Sequence, residues 1–184
     1  MSDDSQLAQD VALDARSFLE TVEAVAAGEA GAQAVALLLL DVARICVAGA
    51  QLGALTDIIL DTNVEPVVPA LPDIDDLRSR LAEELGPMDQ YVEVFDPYGE
   101  EELVPYALSD DLTEIAGDLV HGLSHFDAGR AAESLWWWQF TYLNHWGNHA
   151  GAALRALQAV VAHDRLDGVP EPLLEDPLLN RPLP

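Results

Sequence analysis

Apolar residues recur at spacings of three, four and seven through Leu7, Val11, Phe18, Val22 and Val25, the period of a helix with one buried face. Ser5 and Gly28 bracket that helix. The stretch from about Gln33 to Ala54 is apolar nearly all round, which predicts a helix in the middle of a bundle. Its Asp41 and Arg44 lie one turn apart and can pair. Leu60 to Pro72 holds Pro66, Pro69 and Pro72 and reads as a linker or a loop laid over the bundle. Asp73 has the chemistry of an N-cap for a short helix to Leu85, closed by Gly86-Pro87. Tyr91-Val-Glu-Val-Phe95 alternates, Asp96-Pro-Tyr-Gly99 is turn chemistry, and Glu101 to Tyr106 can pair back as a second short strand. Such a hairpin is marginal unless helices pack on it.

Ser109 then reads as the N-cap of a fourth helix, with Asp110 and Asp111 near the positive end of its dipole. That helix runs to about Phe126 and breaks at Ala128-Gly129. The longest helix is expected from about Arg130 to Asp164. The pattern predicts an all-α fold: a helical bundle of about five helices, with a short irregular or hairpin insert at about residues 87–108, between the third and fourth helices. Residues 1–167 form one domain, and residues 168–184 a Pro-rich extended tail carrying Pro172-Leu-Leu and Pro177-Leu-Leu.

On the last helix, Trp136, Phe140, Leu143, Gly147, Ala150, Leu154, Leu157 and Val161 form the expected main core stripe. Trp138, Tyr142, His145, His149, Ala153, Ala156 and Val160 form a second stripe on the opposite side, with Glu133, Asn144, Asn148 and Arg155 between. Consecutive helical residues point about 100° apart. The run Trp136-Trp137-Trp138 therefore cannot share one pocket, and Trp137 points toward the polar face as an exposed interface anchor or lies under a covering loop.

Composition adds a strong charge asymmetry. In 184 residues there are 33 acidic side chains against 8 basic ones, all arginine, for a formal net charge of −25. Half the chain is hydrophobic, enough for one cored domain and too much for intrinsic disorder. The charge opposes direct nucleic-acid binding and association with acidic lipid. It favours a basic partner. A proteome-wide bias, high-salt adaptation or an acidic decoy for a basic nucleic-acid-binding protein would each produce it. The apolar stretch from Ala32 to Leu60 contains Asp41, Arg44 and Asp57, which argues for a buried helix and against a membrane span. The first residues lack the order of a secretory signal, so a cytoplasmic location is expected. Cys46, the one cysteine, reads as a small core hydrophobe.

Candidate chemistry rests on histidine. His121 and His125, and His145 and His149, are two pairs at i, i+4, a spacing that puts both rings on one helix face. Glu114, Asp118, His121 and His125 make one stripe of the fourth helix, which reads as a metal site or as a solvated acidic face. His145 and His149 read as core-edge histidines or as metal ligands. They lack the glutamate of a HExxH hydrolase. No GxSxG, Walker loop or GxGxxG is present, and residues 96–102 do not fit an EF-hand ladder.

Tyr91-Val-Glu-Val-Phe-Asp-Pro-Tyr98, Leu108-Ser-Asp-Asp-Leu112, Ala131-Ala-Glu-Ser-Leu-Trp-Trp-Trp138, His145-Trp-Gly-Asn-His-Ala150 and Ala153-Leu-Arg-Ala-Leu157 together resemble a bacterial family, a domain of unknown function numbered five-zero-six-three. The resemblance covers roughly Phe18 to Leu157 and implies a small, mostly helical bacterial domain without an assigned activity. A second, weaker resemblance is to DinB-like metal-binding bundles, which use a C-terminal HxxxH and a third histidine from an earlier helix. His145 and His149 fit the pair; the second helix has no histidine, so Asp118 or His121 would be the third ligand.

The expected function is a protein-interaction or regulatory helical module, with Trp137, Trp138, Tyr142, His145, Trp146 and His149 as binding candidates, the insert from Tyr91 to Tyr106 as a second candidate surface, an unidentified and basic protein as one class of partner, and a homodimer as another. No cofactor is expected in that reading, and no enzymatic activity is assigned. The alternatives are a metal-binding bundle, DinB-like in its chemistry, that holds zinc or another divalent transition metal at His145 and His149, and the acidic decoy.

Overall fold

The computed structural model describes residues 3–54, 58–60, 73–94 and 103–166. Its elements are α1 (Asp3–Ala26), α2 (Ala34–Ala54), α3 (Ile74–Leu85), β1 (Gln90–Val94), β2 (Leu103–Ala107), α4 (Leu108–Asp127), α5 (Ala131–Thr141), a wide π turn (Tyr142–Trp146) and α6 (Gly147–Leu166). Because the π turn joins α5 to α6 without a break, the helices form five rods, as the sequence pattern predicts. The Leu60–Pro72 loop beyond Leu60, the Asp96-Pro-Tyr-Gly99 turn and the tail at 168–184 lie outside the described residues.

α1 packs on α2, α3, α4 and α5, and α2 packs mainly on α1 and α6. The predicted α1 stripe is core, with Val11, Phe18, Val22 and Val25 buried against Leu38, Val42, Ile45 and Leu52 of α2. Asp41 is buried in this layer. Its carboxylate accepts hydrogen bonds from Ser17 and Thr21 of α1 and from Arg44, which lies 2.8 Å away. α2 differs from expectation in one respect: it lies at the edge of the bundle. Leu40 and Val47 are 49% and 60% exposed, so one face is core and the opposite face is exposed among the described residues. The apolar residues on that outer face, which filled out its all-round hydrophobicity, have no neighbouring helix among the described residues. The Gly31–Ala54 segment is long and apolar enough to cross a membrane by composition, but its inner face is packed inside the bundle.

Asp73 caps α3 by accepting from the Asp76 backbone N–H, as its position suggests. β1 and β2 pair antiparallel, Gln90 with Ala107 through Val94 with Leu103. The hairpin is fastened to α4 through Asp89, whose buried carboxylate accepts from the Ser109 backbone N–H at 2.7 Å and from its hydroxyl at 3.1 Å. This corrects the expected cap. α4 begins at Leu108, one residue before Ser109, and the carboxylate on its first turn comes from 20 residues upstream. A capping rule that looks only at adjacent residues cannot see that arrangement.

The π turn produces the largest departure from the sequence pattern. Before it, the buried positions of α5 are Ser134, Leu135, Trp138, Gln139 and Thr141; after it, the core holds Trp146, Ala150, Ala153 and Leu157. A uniform α-helical period drawn back from the second set falls on residues 143 and 136, one residue past the true positions. A wide turn accommodates one extra residue, which rotates everything upstream by about 100°. Phe140 and Leu143, expected in the core, are consequently 52% and 59% exposed, and Trp146 is buried in their place. Trp138 and Trp146 lie under this segment, with the Trp146 indole N–H donating to the Trp138 carbonyl at 3.2 Å. Gly147 closes the turn, and a Cβ there would collide with the Tyr142 carbonyl and ring. Gly147→Ala is therefore expected to destabilise the protein by about 1–3 kcal/mol, the usual cost of overpacking, read from urea denaturation midpoints. An unchanged midpoint would show that this turn does not need glycine.

Candidate functional site

The carboxylate and imidazole stripe of α4 does not face solvent. It faces α5 and α6, and this is the site. Antiparallel packing of α4 on α6 and the π turn brings His145 and His149 over it. His145 Nδ1 lies 2.7 Å from Asp118 Oδ2, and its Nε2 lies 3.8 Å from Glu114 Oε2. His149 Nδ1 lies 2.8 Å from Asp111 Oδ1. The other Asp111 oxygen accepts from the Tyr91 hydroxyl of β1. The two imidazole rings stand edge to face with centroids 5.0 Å apart. Around them, Arg78 of α3 reaches Asp110 at 2.8 Å and Glu114 at 3.4 Å, and Arg155 of α6 adds positive charge near Tyr91.

Burial and pairing act against each other on His149 and Asp118 and together on Tyr91. Hydrogen bonding to Asp111 raises the His149 pKa above its ordinary 6.5 despite burial. Burial raises the Asp118 carboxyl, and His145 counteracts part of that rise. Burial, together with the Asp111 carboxylate, raises the Tyr91 hydroxyl. The result is a pair of imidazoles each oriented by a carboxylate. Such an arrangement can bind a polar group, relay a proton or present two Nε2 atoms to a cation. Among the described residues, no group of three or more His, Cys, Asp or Glu side chains is arranged to hold a metal ion.

The other sequence candidates fall elsewhere. Trp138 and Trp146 are core residues; Trp138 donates its indole N–H to the Leu119 carbonyl at 3.2 Å. Neither can meet a partner at the surface. Tyr142 packs on Gly49 and Gly53 of α2. Trp137 is half-buried, stacked on His121 with centroids 3.7 Å apart, instead of standing free as an anchor. The His121 Nε2 and Trp137 Nε1 atoms are both buried without a hydrogen-bond partner. Burial, reinforced by the nearby His125, lowers the His121 pKa. His125 is buried and lies 3.1 Å from Glu133. The third-ligand candidates therefore separate: Asp118 meets His145, whereas His121 belongs to the Trp137 stack. Asp111 was missed as a site residue, and Tyr91 stood only as one end of the candidate insert, without a link to the histidines. Asp111 lies one turn before Glu114 on α4, a spacing that could have extended the stripe; nothing in the sequence tied Tyr91 to it.

The sequence matches a domain of unknown function, DUF5063, over residues 2–163. The chain belongs to the DUF5063 family. That membership agrees with the resemblance in its motifs and brings no activity with it. A crystal structure of protein BF1032 from Bacteroides fragilis is similar, with 21% sequence identity, a TM-score of 0.68, and coverage of 82% of this chain and 89% of that one. At this identity the likeness shows the fold alone. Comparison with the curated proteins found no match.

The His149 shift fixes the sign of a pH dependence. A histidine whose folded pKa is raised contributes stability that is fully present below its unfolded value, near 6.5, and lost as pH rises through the folded value. Urea midpoints of the unmodified protein should therefore fall relative to those of His149→Gln as pH rises from about 6 to about 9. Parallel profiles would remove Asp111 as the source of the shift.

Proposed function

We propose that this member of the family is a helical protein-interaction module whose docking surface is the outer face of α2 together with the exposed side of α5 and the π turn. The observation that carries the reading is a segregation of charge. Residues 34–54 and 131–163 contain two of the 33 acidic side chains, Asp41 and Glu133. Asp41 is buried, and Glu133 is engaged by Arg130 and His125. The exposed apolar side chains Leu37, Leu40, Val47, Phe140 and Leu143 belong to these same segments. Exposed apolar side chains on segments nearly free of carboxylates support docking of a partner that presents an apolar, weakly charged face.

A photo-crosslinking residue at position 40 or 140, compared with one at Leu13 on the acid-rich α1, tests this reading in cells. Leu13 is 68% exposed and serves as the control for mere accessibility. Defined adducts from 40 and 140 and none from 13 are expected. Equal labelling from all three, or none from 40 and 140, would overturn the reading.

A second reading, a divalent transition metal at His145 and His149, is favoured by the carboxylate on each Nδ1, the usual support for an imidazole ligand. Metal content of the untagged protein tests it. Near-stoichiometric metal, lost in the His145→Ala, His149→Ala variant, is the expected result of that reading, and metal-free protein unresponsive to zinc, nickel or manganese would contradict it.

A further inference from the structure

The exposed face of α2 has a spacing of its own. Leu37, Leu40, Arg44, Val47, Gln51 and Ala54 are all exposed and follow one another at intervals of three, four, three, four and three. An a/d seam uses the spacing of one helix face such as this, and four of the six residues on it, Leu37, Leu40, Val47 and Ala54, are apolar, on the side of α2 turned away from its own bundle. We infer that α2 is the seam of a symmetric dimer in which it pairs antiparallel with α2 of a second copy of this chain. The inference rests on the reading of this face as a docking surface and names its occupant.

Self-complementarity points to a second copy over any other partner. A two-fold axis midway between Arg44 and Val47 sets Leu37 opposite Ala54 of the second copy, Leu40 opposite Gln51, and Arg44 opposite Val47. The large residues at one end of the seam meet small or flexible ones at the other end, and each pairing occurs twice, as an isologous interface requires. Charge points the same way. Two chains of net charge −25 repel wherever their carboxylates meet. The carboxylates beside this seam are Asp41, buried, paired with Arg44 and hydrogen-bonded by Ser17 and Thr21, and the half-buried Asp14 of α1, which also feels the Arg44 charge. The antiparallel arrangement joins the two segments of lowest acidic content, residues 34–54 of each copy, which hold one carboxylate apiece.

The test is the mass of the full chain in solution by sedimentation equilibrium and light scattering over a concentration series. The unmodified protein is expected at twice its 19.9 kDa chain mass at the upper end of the series. Leu40→Glu and Val47→Glu are each expected to return it to one chain mass. Both sites are exposed, and retained helical circular dichroism shows that either variant has folded. Leu13→Glu on α1 should leave the mass unchanged. The register is tested by combining Leu40→Glu with Gln51→Arg, which sets opposite charges face to face twice across the axis and should restore the dimer. A protein that stays at one chain mass up to about 1 mM, near the weak limit of measurable association, overturns the inference. A dimer indifferent to Leu40→Glu and Val47→Glu overturns it equally. In the first of those cases, crosslinks from position 40 to a different protein would leave the docking surface standing with another occupant.

Discussion

Three buried carboxylates hold the elements of this bundle to one another, and each is stabilised by donors from more than one residue. Asp41 joins α1 to α2 through Ser17, Thr21 and Arg44. Asp89 joins the hairpin to the first turn of α4 through Ser109 and accepts a further hydrogen bond from the Gln90 side chain. Asp111 joins β1, α4 and α6 through Tyr91 and His149. A buried carboxylate is costly unless it is paired and hydrogen-bonded. In a chain this acidic, most carboxylates stay at the surface, and the few inside become fixed points. The candidate site grows around one of these points, because the same contacts that stabilise Asp111 orient His149 and fasten the hairpin beside it.

The π turn determines what surrounds those points. It buries Trp146, turns His145 and His149 toward α4, and leaves Phe140 and Leu143 outside. Its position between Trp138 and Gly147 matches the close approach there: Tyr142 and Trp146 press on Gly49, and Tyr142 lies against Gly147. The polar site and the exposed apolar surface are thus two consequences of one extra residue in a helix, on opposite sides of the same rod.

Much of the fold was legible because it depends on local chemistry. The helical period of α1, the Asp73 cap, the Asp41–Arg44 pairing and the alternation of β1 can all be read within a few residues. What was not legible depends on distant residues or on a broken period. A uniform 3.6-residue period drawn through Tyr142–Trp146 exchanged core for surface in α5. The Asp89 cap spans 20 residues, and the Tyr91 contact to Asp111 the same interval. The stripe of Glu114, Asp118, His121 and His125 was correctly seen, but its direction was not, since a helix face shows its chemistry in the sequence and not its neighbour. Likewise the exposed side of α2 could not be told from its packed side while both were apolar.

The central claim is that the neutral apolar side of the molecule is covered when the protein is at work and the acidic side is not. Hydroxyl-radical footprinting at native cellular concentration, compared with dilute purified protein, measures this at individual side chains. The account predicts that labelling of Leu40, Val47, Phe140 and Leu143 falls in the cell while that of Leu13 on α1 is unchanged. Equal labelling of both sets in the two conditions would contradict it.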